Sequence, residues 1–512
     1  MKSNGFAEED TLKHGKVVVD SSLVDDAAVF ISSDDELLDP AAAAKVRAKI
    51  DKHLLPLMLA LYWLDVQFID KTTLGNSANL GIKHTAHLNA NHNWLGTVFY
   101  LSYLVFEYPQ NLALQRFPVG KWMACNIFIW AIALASHAAC HSFGALFAVR
   151  FILGMCEGSI TAGFLIVTSM FWTHKEQSVR VGYWFLMNGT AQIVAGLVTF
   201  GLVHIKHSPL APWQWYLLIT GILTLCIAVL FWFFFPDNPQ TAWFLTPEER
   251  TIAIKRIRSN QSGVENKHFK LGQMLEALRD PKTWIFSLFN IPNSLTNQRA
   301  IIVKSFGFST LVVTLLGCID GLIEIVTIFS AVKIVERIPN SRASVAALYY
   351  IPNMLGAILI LALPWQNRNG LLAATYLTDI ASSGFVLSLG WVTAVTAGHT
   401  KRVTTQAIML SSYCVGNIVG PQMWQQQYVP RNRVPWGVIL GCFTICPLLY
   451  SLLRWRLARE NRRRDLEEDS VETIQDTYII REKADGTKVE THIDEAFLDL
   501  TDIENRKFRY VL

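Results

Sequence analysis

The chain is predicted to be all-α, a polytopic membrane protein of twelve transmembrane helices in two six-helix bundles, and three observations carry that reading. Of its 512 residues 51% are hydrophobic and 17% charged, with a mean hydropathy of +0.29, too apolar for a soluble globule of several domains. Apolar windows of about 18 residues or more begin near Leu54, Trp94, Trp122, Phe143, Val181, Trp215, Trp284, Ser309, Ala343, Gly370, Val403 and Trp436, six before a polar stretch from Asp237 to Lys282 and six after it. A short string also occurs twice, Arg116-Phe117-Pro118-Val119-Gly120-Lys121 and Arg337-Ile338-Pro339-Asn340-Ser341-Arg342. Its copies lie 221 residues apart, as do the pairs Leu95-Gly96 and Leu316-Gly317, which points to two related halves.

Each window must be a helix, because a backbone in hydrocarbon has to satisfy its own hydrogen bonds and the runs are too long for barrel strands. The expected organisation is a disordered tail over 1–50, a first bundle over 51–236, a central loop over 237–283, a second bundle over 284–456 and a tail over 457–512. The first 45 residues are polar and locally acidic, so the Leu54 helix itself would direct insertion. Basic residues flank the first helix (Lys45, Arg47, Lys49, Lys52), fill the central loop (Arg250 to Lys282) and follow the last helix (Arg454, Arg456, Arg459, Arg462 to Arg464). With twelve spans all three regions fall on one side, expected to be cytoplasmic. In the central loop, Thr246-Pro247-Glu248-Glu249-Arg250 reads as a helix start, leading into a helix that either lies on anionic lipid or is a solvated linker.

Several functions are excluded. All eight cysteines fall in or beside apolar spans, which argues against a disulfide framework and makes them small core residues. No phosphate-binding glycine loop, Walker lysine or activated nucleophile occurs, so the chain is read as neither an ATPase nor any other enzyme, and as needing no cofactor or metal. Nucleic acid is not an expected partner; membrane lipid, a small-molecule substrate and protons are, and the chain is read as a monomer.

The informative residues are ionisable ones inside apolar spans, each costing about 2.5–3.5 kcal/mol or more at the bilayer centre. Arg150 and Glu157, seven apart in the fourth span, share a helical face. The arginine can clamp a carboxylate or phosphate while the glutamate pairs with it in the empty site, or the two form a permanent ion pair. Asp320 and Glu324, one turn apart in the eighth span, are candidates for proton uptake or for a structural bond to a neighbouring helix, with Asp379 and Glu107 as further carboxylates. The amide pairs Asn188/Gln192 and Asn293/Asn297 either hydrogen-bond a solute or hold two helices together.

The runs Arg150-Phe151-Ile152-Leu153-Gly154-Met155-Cys156-Glu157-Gly158-Ser159, Phe171 to Arg180, Asp280-Pro281-Lys282-Thr283-Trp284, Thr396 to Val403, Tyr413 to Gln422 and Leu500 to Asn505 resemble the fungal allantoate permease group, the anion:cation symporter family of the major facilitator superfamily. The resemblance implies a major facilitator fold with a central site, importing small organic anions or vitamin-like carboxylates with protons. It also implies that the doubled strings are degenerate gating loops, carried here by Arg116, Lys121, Arg337 and Arg342. The chain departs from the family pattern at Asp70-Lys71-Thr72-Thr73, Ala162 and Gln298-Arg299, all where helices would line the cavity, so no familiar substrate transfers directly. The expectation is a plasma-membrane, proton-coupled importer of an organic anion; the alternatives are an exporter of a secondary metabolite or a non-transporting nutrient sensor.

Overall fold

The computed structural model describes residues 38–68, 92–204, 208–257, 268–295, 310–468 and 499–512, short strands at 16–18, 476–482 and 488–492, and the single positions 80, 82, 260, 306 and 308. The first half is built from α1 (Pro40–Phe68), α2 (His92–Arg116), α3 (Val119–Ser136), α4 (Phe143–Phe171), α5 (His174–Val203) and α6 (Pro212–Phe234). Two short helices follow, α7 (Pro247–Ile257) and α8 (Leu271–Arg279). The second half comprises α9 (Pro281–Leu295), α10 (Thr310–Arg337), α11 (Arg342–Ala362), α12 (Arg368–Thr378), α13 (Ser382–Ala394), α14 (His399–Val419) and α15 (Arg433–Glu468). A single 3-10 turn, Asp379–Ala381, separates α12 from α13, which together make one span, so each half has six. The two copies of the duplicated string close α2 and α10, the second helix of each half.

Among the described residues eight spans are long and apolar enough to cross a membrane on composition alone. The other four, α1, α2, α9 and α14, are more polar or described over a shorter run, and the polarity has a place to go. On α2 Glu107, Gln110, Asn111 and Gln115 are buried, and on α14 so are His399 to Arg402. Protein rather than lipid surrounds these groups, which is how polar residues are tolerated at membrane depth. Apolar side chains such as Phe233, Ile351 and Leu448 instead stand exposed on the outside of the bundle, where lipid replaces water.

Outside the helices, β1 (Lys16–Val18) pairs in parallel with β2 (Asp476–Glu482), and β2 pairs antiparallel with β3 (Lys488–His492). The Thr477-Tyr478-Ile479-Ile480 run suits a strand. Among the described residues the all-α body is thus joined by one small sheet made from the tails.

The halves meet chiefly along α5 with α10 and α2 with α14, and α5 also packs on α13. On the first pair Gly189 and Gly321 face each other so closely that a Cβ on either would lie 2.4 Å from the other's carbonyl oxygen. Only hydrogen fits there, and this contact sets the spacing of the two halves.

The central segment docks on protein. Thr246 and Glu249 cap α7 reciprocally, at 2.9 and 3.3 Å. Its Ala253, Ile254 and Ile257 are buried, while Lys49 reaches Glu249 at 2.6 Å and Arg256 reaches Glu176 at 2.8 Å. The helix therefore packs on the bundle and is not the solvated linker that was one of its two expected roles. The exposed apolar stripe belongs instead to α8, where Leu271, Leu275 and Leu278 repeat at helical spacing. The cysteine expectation also needs correction, since Cys125 and Cys226 are exposed on the bundle's outer surface rather than in its core; all eight are free.

Replacing Gly321 with valine forces the α5–α10 pair apart, and overpacking of this kind costs about 1–3 kcal/mol or more. The melting temperature in detergent is expected to fall and transport to fail. Gly317→Ala, where an added Cβ meets nothing within 4 Å, is expected to leave both intact.

Candidate functional site

Side chains from both halves close around a cavity of about 50 Å³ at the centre of the bundle. Tyr62 comes from α1, Phe99, Tyr100 and Tyr103 from α2, Glu157 and Thr161 from α4, Phe185 from α5, Phe385 from α13, and Leu410 and Tyr413 from α14. Phe185 meets Phe385 edge-on at 5.7 Å and Tyr100 meets Tyr413 at 6.4 Å, both across the halves, while Phe385 stacks on Tyr413 at 5.3 Å. Trp184 buttresses Tyr62 from behind at 4.6 Å. Such edge and offset contacts are the favourable geometries for rings. The volume suits a water molecule or two, well short of the roughly 300 Å³ a small organic ligand needs. The rings must therefore part before a solute can enter. Glu157 is the carboxylate in this lining.

Arg150 is buried on the same face of α4, about 10 Å from Glu157 along the axis at 1.5 Å per residue. It lies outside the cavity lining, close enough to His137 at the end of α3 for their charges to interact. Asn188 and Gln192 do not line the cavity either. Both donate to Glu324, Asn188 to Oε1 and Gln192 to Oε2 at 2.7 Å, which places the two amides and the carboxylate in the α5–α10 seam beside Gly189 and Gly321. Asp320 sits one turn away, half-buried. Asn293 accepts from the Tyr350 hydroxyl at 2.9 Å, and Asn297 lies outside the described residues. Glu107 is fully buried between α2 and Gly158 of α4, its Oε1 accepting from Asn111 at 2.7 Å. Asp379 is half-buried in the turn that breaks the tenth span.

The end of the bundle that carries both described termini and the basic clusters, here the basic end, is closed by hydrogen bonds between the halves. Gln115 donates to Thr400 at 2.9 Å, and Arg402 donates to Ser169 at 2.9 Å. Arg342 reaches Ser178 at 3.0 Å and the His174 carbonyl at 3.1 Å. Of the four residues in the duplicated strings, Arg342 therefore spans the halves. Arg116 and Arg337 are exposed, and Lys121 stays within the first half, bonded to the Trp232 carbonyl with its ammonium 4.9 Å from that ring.

Behind these bridges lies a buried charge cluster. Lys401, fully buried, binds Glu276 at 2.8 Å, Asp280 at 3.0 Å and Asp502 at 2.9 Å, while Lys282 binds Asp502 at 2.6 Å. Burial opposes ionisation of Asp502, yet Lys282 and Lys401 outweigh it and hold the carboxyl well below the usual aspartate range. Burial likewise opposes ionisation of Asp280, which the same lysines bring below its ordinary value. Sequence reasoning passed over Gln115, Ser169, Ser178, Thr400 and Arg402, and gave the tail no role. The available signal was the polar string at the start of α14, which only long-range acids make affordable.

The Major Facilitator Superfamily family model matches residues 66–421. The thiamine pathway transporter of Saccharomyces cerevisiae is 33% identical, covering 100% of this chain and 92% of the relative. The allantoate permease of the same yeast is 32% identical over 98% of this chain and 92% of the relative. Among solved structures, a proton:xylose symporter bound to 6-bromo-6-deoxy-D-glucose superposes with a TM-score of 0.61 at 13% identity, covering 79% of this chain and 95% of that one.

Removing one partner from a buried ion cluster costs about 3–5 kcal/mol, so Lys401→Met is expected to lower the melting temperature sharply. The pH dependence follows from the depressed Asp502 carboxyl. Its contribution is present above the unfolded value of about 3.9 and lost only as pH falls through the lower folded value. Protection of the 499–512 amides, taken relative to intrinsic exchange at each pH, should therefore hold through pH 4 and fall only below it; a fall between pH 6 and 5 would contradict the assignment.

Proposed function

The chain belongs to the major facilitator superfamily of membrane transporters, and from that premise we propose that it takes up a small organic anion with a proton by alternating access. The basic end faces the cytoplasm, the membrane is the plasma membrane, and the working unit is a monomer. The observation that carries the reading is Glu157, a carboxylate in an aromatic cavity between the halves.

An ionised Glu157 and an anionic solute repel strongly where the surroundings are apolar. A proton on Glu157 removes one of the two charges, so proton and anion load together and neither crosses productively alone. Arg150, two turns away on the same face and towards the end opposite the basic clusters, supplies a bidentate donor that meets the entering carboxylate before the rings close. Release follows when the basic end opens. The names of the allantoate permease and thiamine pathway relatives support a small organic solute.

A second reading has its own observation: seven aromatic rings with one carboxylate also suit an organic cation held over ring faces. Glu157→Gln separates the two. For an anion symporter the amide mimics the protonated acid, so accumulation against a gradient is lost while exchange of labelled substrate across proteoliposomes persists. For a cation carrier the amide removes the counter-charge, and exchange is lost as well. In the anion reading Arg150→Lys keeps the charge but loses the planar fork, and uptake is expected to fall at least tenfold, about 1.4 kcal/mol. Uptake equal to the parent at equal surface expression would remove Arg150 from the site.

A further inference from the structure

We infer that the C-terminal segment 499–512 is a working part of the gate at the basic end, and that Asp502 is its positioning residue. The residues through which the second half reaches the first are held from behind by this segment. Asp502, fully buried, fixes Lys401 at 2.9 Å and accepts from the Ala397 amide at 3.3 Å, bracketing the turn that launches α14. Asp499 accepts from the His399 amide at 2.6 Å, and its carbonyl accepts from Gln273, whose Oε1 in turn accepts from the Thr400 amide at 3.1 Å. Thr400 and Arg402, which bond to Gln115 and Ser169 of the first half, thus stand on a support the tail completes. Gly398 just before them has φ of +85°, a left-handed backbone that glycine adopts without strain, so the chain can turn here into α14.

The third bridge is held in the same way. The Leu512 carbonyl accepts from the Arg342 amide at 3.3 Å, while the guanidinium of that residue crosses to Ser178 and His174. Trp391 donates to the Val511 carbonyl at 2.7 Å, and Arg464 donates to the carbonyls of Asp502 and Phe508 at 2.8 and 2.7 Å, which pins the segment to α13 and α15. Phe508 reaches the first half directly, edge-on to His174 at 5.9 Å. The segment thus favours the state in which the basic end is closed, and opening that end requires its bridges to release.

The test uses the full-length chain in proteoliposomes, with Cys125 and Cys226 replaced by serine and a reporter cysteine at Gln406, a buried position one turn beyond the bridging Arg402 on α14. A membrane-impermeant thiol reagent is applied at the basic end, and labelling is expressed per folded molecule. Asp502→Asn keeps the shape and removes the charge, and labelling is expected to rise about tenfold, with Asp502→Glu recovering part of the closure. Phe508→Leu, which alters no charged group, is expected to raise labelling in the same direction by a smaller factor, and it serves alone if the asparagine variant does not fold. Labelling equal to the parent in the folded fraction of both variants would overturn the inference and leave the segment a passive buttress.

Discussion

The distance between Gly189 and Gly321 is the constraint on which the rest of the molecule depends. Two bundles that rock against each other need a seam that holds without locking, and a seam drawn close at a facing pair of glycines provides it. With each glycine's would-be Cβ only 2.4 Å from the opposite carbonyl oxygen, α5 and α10 run backbone against backbone. Glu324, Asn188 and Gln192 sit beside that contact as a polar rivet between the halves. Lipid is as apolar as leucine and gives no hydrophobic drive for helices to associate, so close packing and interhelical hydrogen bonds must do so.

Closure at the basic end works by a different kind of force. The bridges Gln115–Thr400, Ser169–Arg402 and Arg342–Ser178 are individually modest hydrogen bonds, each worth on the order of 1 kcal/mol net and more where a charge takes part. Modest bonds suit a gate, because a state that must open cannot be held by many kilocalories. A buried charge cluster is kept within the second half, its tail and the adjoining α8, where Lys282 and Lys401 meet Asp280, Asp502 and Glu276. The cluster thus lies where rigidity is wanted, and the modest bonds where motion is wanted.

The membrane body was legible in the sequence because hydrocarbon permits so few backbone solutions. Each of the twelve windows lies in a helix of the structure, including α14, whose first turn is His399-Thr400-Lys401-Arg402. The duplicated string correctly marked equivalent helix ends on α2 and α10, yet of its basic residues Arg342 is the one that bridges the halves. Glu157 was legible because a carboxylate in an apolar helix is costly, but its aromatic company was not, since Tyr62, Phe185, Phe385 and Tyr413 are spread over distant spans and look like ordinary membrane side chains. Asn188 and Gln192 show the limit from the other side: helical spacing correctly put them on one face, and only packing could reveal that the face turns to Glu324 rather than to the cavity. The tail stayed invisible for a like reason, because Asp502 acquires its meaning from Lys282 and Lys401, 220 and 101 positions away.

If the halves alternate about the α5–α10 seam with the basic end as one gate, tying that gate shut must stop transport without destroying the site. Cysteines at Gln115 and Thr400, whose native side chains bond across the halves at 2.9 Å, can be bridged by a short reversible bifunctional thiol reagent in a chain lacking Cys125 and Cys226. Labelled-substrate flux should cease on bridging and return on reduction, while binding from the opposite side persists throughout. Undiminished flux through fully bridged protein would show that the gate lies elsewhere.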